Sequence, residues 1–231
     1  MHYKNLYLLG TSHISKDSIK EINDIFENQK PDIVAVELDK QRYLALSSNQ
    51  KPSLGLENIF KIGLKGYLFM VIGHYVQQKL GHIVKVKPGS DMIEAVKLAK
   101  KNKVTLELID QDINITLKKF SKYFSWKEKF TLLKDIFQAF FFKKTVQFDI
   151  SKVPEKKIIT KMIDELKIKY PNIYFVLIED RNNFMAKKLF KIMRFNPSKK
   201  IFCVVGAGHE EGMIKKIKEL YSSNISFHPD S

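Results

Sequence analysis

Ile201–Met213 reads IFCVVGAGHEEGM. Its first five residues are apolar without alternation, as in a strand covered on both faces of its sheet. The run breaks at Gly206, and helix-compatible residues resume after Gly208, so the stretch reads as a strand turning into a helix with His209 presented at the turn. The stretch Tyr7–Ser15, YLLGTSHIS, repeats the device and presents His13. Both obey Gly-x-x-His after an apolar run, from Gly10 in one case and Gly206 in the other. Turns at opposite ends of a chain share one site when their strands lie parallel, because the carboxyl ends of parallel strands line the crevice of an open α/β sheet.

Working outward, three more apolar runs read as strands: Asp32–Leu38 (DIVAVEL), Val104–Ile109 (VTLELI) and Ile173–Ile178 (IYFVLI). A short tail strand is expected over Ile225–His228. Helices are expected over Lys16–Asn28 with Ser15 as N-cap, Asp91–Asn102 with Ser90 as N-cap, Asn183–Met193 and Glu211–Tyr221. The fold class predicted is α/β, one domain over 1–231 with a central mixed, mostly parallel sheet flanked by helices. Two helical insertions interrupt it, at about 44–88 and 118–165.

In the first insertion, Ile59–Val76 is strongly apolar, but Lys61, Lys65 and His74 interrupt it short of the roughly 20 residues needed to cross a bilayer. It reads as a helical lid, with membrane-surface association as the alternative. His74 and His82 read as ordinary lid histidines. In the second insertion Phe120, Tyr123, Phe124, Trp126 and Phe140–Phe142 interleave with lysines. That pattern predicts an amphipathic helical pair with a solvated lysine face, its aromatic side packing into the core or a homodimer.

A chain of 231 residues supports one full core. The formal charge of +15 and pI near 9.6 favour anionic partners. Yet only Arg42, Arg181 and Arg194 are arginines, and nucleic-acid readout recruits the planar arginine fork. A compositional lysine bias accounts for the charge, and a nucleic-acid partner is not expected. The lone Cys203 lies in IFCVV and reads as a core side chain. No disulfide forms within the chain, and the first residues do not resemble a signal peptide, so the expected location is cytoplasmic.

The predicted strand ends carry His13, Glu37, Asp110, Glu179 to Arg181, and His209. Two imidazoles with one carboxylate form a common catalytic metal set that leaves a position open for water. A divalent ion there would bring that water's pKa toward neutrality. Arg42 and Arg181 suit a substrate carboxylate or a developing oxyanion. HExxH, GxGxxG, the P-loop and the GxSxG elbow are all absent from the chain.

Together GTSHIS with Ser18, PDIVAVELDKQR, PGSDMIEAVKLA to LIDQDINITL, EDRNNFMAKKL and VVGAGHEEG resemble the TraB/PrgY (pheromone-shutdown) family. That family is similar to the Tiki metalloproteases and the erythromycin-esterase/ChaN-like superfamily. The resemblance implies a mixed α/β core and a metal-dependent peptidase acting on peptides. By motif it puts the metal set on His13, His209 and Glu37, with manganese, cobalt or zinc as the divalent ion. It also puts the family's arginines on Arg42 and Arg181, and with Glu37 and the strand-end Asp110 these are the expected catalytic residues. The chain departs from the family pattern at Asp110-Gln111-Asp112, where a DRD-like triplet is frequent, at Lys118 and Lys119 in place of an arginine, and at Asp91 in place of a glutamate. The resemblance also implies membrane-associated relatives with transmembrane helices after the domain. Its alternative functional implication is a non-catalytic protein that sequesters a peptide or hydrophobic ligand.

Overall fold

The computed structural model describes residues 1–11, 16–47, 89–141 and 156–225. Five strands form one sheet in the order β1 (His2–Tyr3), β2 (Leu6–Thr11), β5 (Ile201–Gly206), β3 (Ile33–Val36), β4 (Thr105–Leu108). β1 pairs antiparallel with β2, and the other pairings are parallel, which makes the sheet mixed and mostly parallel. β5 sits at the centre, with Gly10 opposite Val205 and Ile33 opposite Ile201.

All six residues of β5 are buried, as expected of a run apolar on both faces. Side chains alternate across the pleat, so the strand feeds two cores. On one side Ile201, Cys203 and Val205 pack with Met185, Leu189 and Met193 of helix α8 (Asp180–Phe195) and Met213 and Ile217 of helix α9 (Ala207–Ile225). On the other, Phe202 and Val204 meet Ile22 and Phe26 of helix α1 (Lys16–Gln29) and Met92, Ala95, Val96 and Ala99 of helix α3 (Ser90–Lys101). Full burial of a side chain such as Phe202 or Leu189 contributes about 1.5–3 kcal/mol. The layers hold the sheet's carboxyl edge rigidly. Short helix α2 (Lys40–Ser47) leaves from β3 at that edge.

Between β4 and α8 run α4 (Ile113–Tyr123), α5 (Trp126–Phe141), α6 (Lys156–Lys169) and α7 (Pro171–Tyr174), the last passing into a π-helical turn at Phe175–Glu179. The expected strand Ile173–Ile178 is therefore helical. An apolar run of that length does not separate strand from buried helix by periodicity. Pro171 occupies a first-turn position, where its missing N–H costs nothing. Buried Glu128 then accepts the backbone N–H groups of Asn172 and Ile173 at 2.7 and 3.3 Å, satisfying donors that a helix start leaves open. Arg181 consequently reaches the site from a helix rather than from a strand end.

Three smaller differences concern termini and faces. The N-cap of α3 is Gly89, in the left-handed region at φ 80°, and Ser90 is the first helical residue. Ile225 ends α9, and the remainder of the expected tail strand lies outside the described residues, as do His74, His82 and Ile59–Val76. The aromatic insertion is helical, but Trp126 and Phe130 point to solvent, 70% and 67% exposed. Among the described residues no helix is long and apolar enough to cross a membrane.

Candidate functional site

Glu37 follows β3 directly and is buried, with its backbone N–H bonded to Val204 O at 3.0 Å. One carboxylate oxygen accepts the Gly206 N–H at 2.6 Å, so the last residue of β5 and the end of β3 are tied through a side chain. The other accepts from Arg181 Nη2.

Asp110 plays the matching part beyond β4. Arg181 grips it with Nε and Nη2 at 3.1 and 2.6 Å, a bidentate pairing available only to a guanidinium. Arg42, on the first turn of α2, donates Nη2 to the same carboxylate and Nε to Asp39 at 2.6 Å. Asp39 in turn accepts the N–H groups of Gln41 and Arg42, as the N-cap of α2. Two arginines thus serve three carboxylates, Glu37, Asp39 and Asp110. Burial works to lower the Arg181 pKa, but the facing charges of Glu37 and Asp110 outweigh it and the net shift is upward. Arg42 moves the same way, with Asp110 and Asp39 overriding burial and the nearby Arg181.

His209 lies in the first turn of α9, buried at 4% exposure. Arg181 Nη1 approaches its Nε2 at 3.1 Å, and because a guanidinium only donates, Nε2 carries a lone pair. Nδ1 therefore holds the proton and donates it to Asn182 Oδ1 at 2.7 Å. The ring is a neutral imidazole of one tautomer, its lone pair 3.4 Å from Glu37 Oε1. Gly212 leaves the room that Asn182 occupies, since a Cβ there would collide with Asn182 Nδ2.

A second tier of polar contacts supports this edge. Thr11, the last residue of β2, donates to Asp91 at the start of α3, and also to Val205 O at 3.2 Å. Asp180 accepts from Lys119 at 2.6 Å and from Gln111 at 3.3 Å. Lys119 and Gln111 thus form a linked pair at two of the positions where the chain departs from the family pattern. Gly10 is close-packed, because a Cβ would sit 2.7 Å from Glu210 Oε2 and 3.0 Å from Ala207 Cα.

Of the residues expected to form the site, Glu37, Arg42, Asp110, Arg181 and His209 are brought together. His13 lies outside the described residues. Sequence reasoning missed Asn182, Asp39 and the Thr11–Asp91 pair as site members. For Asn182 the signal was indirect: Gly212 falls one helical turn after His209, and a glycine there implies close approach by a neighbour. A donor set for a divalent ion is half present, one carboxylate and one imidazole whose far nitrogen is fixed by a hydrogen bond, as is usual for ligating histidines. Among the described residues no group of three His, Cys, Asp or Glu side chains is placed to hold a metal. The residues present fit an ion only with a further ligand, and Arg181 Nη1 would have to yield the His209 lone pair.

Two cavities bear on access. The larger, about 560 Å³, is lined by Lys30, Pro31 and Val104 at the amino ends of β3 and β4, the wrong edge for this site. The smaller, about 210 Å³, touches Asn182, Ala207, Gly208 and Glu211 beside His209. Its size suits one side chain rather than a whole drug-sized ligand.

Comparison with known proteins identifies relatives of this chain. The chain is 35% identical over 226 residues to an uncharacterized protein of Methanocaldococcus jannaschii, covering 95% of this chain and 55% of that one. It is 23% identical over 238 residues to the TraB domain-containing proteins of Homo sapiens and Mus musculus, covering 91% of this chain and 62% of each of those. The chain thus spans between half and two thirds of the length of these relatives. The TraB/PrgY/gumN family model matches residues 2–225, and the chain belongs to that family.

Proposed function

We propose that this domain is a metal-dependent hydrolase of peptide bonds. The observation that supports it most is His209, held as a neutral imidazole by Asn182 with its Nε2 lone pair 3.4 Å from Glu37. His209 and Glu37 would hold the ion together with His13. Such an ion supplies Lewis acidity and a water ionised near neutral pH. Asn182 keeps the imidazole in the ligating tautomer, and Gly206 N–H orients Glu37. Arg181 is the cation nearest the pair among the described residues; the Nη1 that an ion on His209 would release could then donate to a peptide carboxylate or a developing oxyanion, while Asp110 and Arg42 fix its position. The cavity beside Asn182 takes one substrate side chain. The test is hydrolysis of a peptide library by protein loaded with manganese, cobalt or zinc, compared with His209→Ala. Metal-dependent cleavage lost in the variant supports the reading; equal cleavage by both removes it.

A second reading rests on a different observation: both oxygens of Glu37 are already hydrogen-bonded, to Arg181 and Gly206. A saturated carboxylate suits a rigid cradle that captures a peptide without turning it over. Stoichiometric peptide binding with no product in the presence of metal would favour that alternative.

A further inference from the structure

Helix α5 is tied to its own domain by two carboxylates: Glu128, 3% exposed, caps α7, and the half-buried Asp135 accepts from Tyr170 at 2.9 Å and Lys169 at 3.1 Å. Its outward side carries Trp126 and Phe130, one turn apart with ring centroids 6.3 Å from each other. Lysines flank this aromatic side: Lys129 sits 4.2 Å over the Trp126 ring, and Lys127 and Lys134 are exposed on the other flank.

A helix anchored to its own domain by carboxylates, with Trp and Phe turned outward between lysines, has the anatomy of an interfacial helix. Trp and Phe enter the boundary between headgroups and acyl chains, while the lysine stems reach back to anionic headgroups. The α5 helix of 16 residues would lie about 24 Å long in that plane. Charge decides the occupant. A second copy would oppose lysine rim to lysine rim on chains that each carry +15, whereas an anionic lipid surface complements both. We propose that α5 docks this domain, independently of its chemistry, on the surface of anionic bilayers.

Trp126 is the single tryptophan of the chain, so intrinsic fluorescence reports this helix alone. Wild-type protein is titrated with vesicles of phosphatidylcholine containing phosphatidylglycerol and with vesicles of phosphatidylcholine alone. The expected result is a blue shift, with quenching by brominated acyl chains, on the anionic vesicles only, weakening as salt is raised. Lys129→Gln should reduce partitioning about fivefold, since each lysine near an anionic surface is worth about 1 kcal/mol. Phe130→Glu should abolish it, with folding checked by circular dichroism; if that variant does not fold, the wild-type titration and Lys129→Gln still decide. No shift on anionic vesicles, or an equal shift on neutral ones, overturns the proposal. So does a blue shift that grows with protein concentration without lipid, which would assign the face to self-association.

Discussion

Asn182 Oδ1 lies 2.7 Å from His209 Nδ1, and together with Arg181 Nη1 on Nε2 this contact fixes which nitrogen of the imidazole is available for chemistry. With the proton held on Nδ1, the lone pair on Nε2 faces Glu37 and Arg181. Replacing Asn182 by Ala removes the acceptor of the Nδ1 proton and leaves Arg181 alone to hold the tautomer. The expected cost is about 10–100-fold in metal affinity or activity, the range seen when a ligand's supporting partner is removed. Metal titration of Asn182→Ala against wild type checks it, and unchanged affinity would show that the tautomer is held by something else.

Arg181 pairs with two buried carboxylates, at 13% side-chain exposure against 5% for Glu37 and 0% for Asp110. Arg181→Met removes the arginine from Glu37 and leaves Asp110 with Arg42 as its counter-charge, and breaking a buried pair in this way costs about 3–5 kcal/mol. Arg181→Lys should recover only part of the loss, because an ammonium cannot bridge Asp110 bidentately while reaching Glu37. Urea denaturation of the two variants measures this directly. Equal stability of the methionine variant and wild type would contradict the pairing.

Glu128 supplies the pH dependence. Burial pushes its pKa up, but hydrogen bonds from Asn172 and Ser125 outweigh burial, and the net shift is downward. A carboxyl with a lowered folded pKa adds stability in full above its unfolded value, about 4.3, and loses it as pH falls through the folded value. Glu128→Gln should therefore be less stable at neutral pH by about 1–3 kcal/mol, the cost of buried donors left poorly paired. The gap to wild type should close below about pH 4. A gap that stays constant into acid would mean that the carboxylate charge contributes nothing.

Gly10→Ala places a methyl 2.7 Å from Glu210 Oε2 and 3.0 Å from the Ala207 backbone. The side chain of Glu210 can shift but the backbone of α9 cannot without moving His209 with it. We expect a loss of about 1–3 kcal/mol, the usual cost of overpacking, together with weaker metal binding. Thermal denaturation and metal titration of one sample separate the two effects.

Much of the fold was legible in residues alone. Continuous apolar runs marked β2, β3 and β5 because strands covered on both faces leave no polar alternation to confuse with a helix, whereas β4 is the edge strand and Thr105 and Glu107 interrupt its apolar residues. The same rule misread Ile173–Ile178, where the deciding fact was a carboxylate 45 residues away, Glu128, closing the helix start from another element. The candidate site was legible where chemistry sits at strand ends, in Glu37, Asp110 and His209. Asn182 was not, because its role depends on the rotation of α8 relative to α9, which no local spacing encodes. Trp126 and Phe130 on α5 are exposed rather than in the core, one of the two placements expected of the aromatic side, because amphipathicity reveals that a helix has two faces but not which one the domain keeps.

The central claim is that His209 and Glu37 belong to a metal site. Elemental analysis of wild-type protein reloaded with manganese, cobalt or zinc and then desalted tests it most directly, beside His209→Ala and the double variant His13→Ala, His209→Ala. The account predicts about one ion per wild-type chain and loss of that ion in both variants with the fold intact by circular dichroism. Absence of retained metal in the wild type, or equal retention in the variants, would contradict it and leave the saturated cradle around Glu37 as the better description.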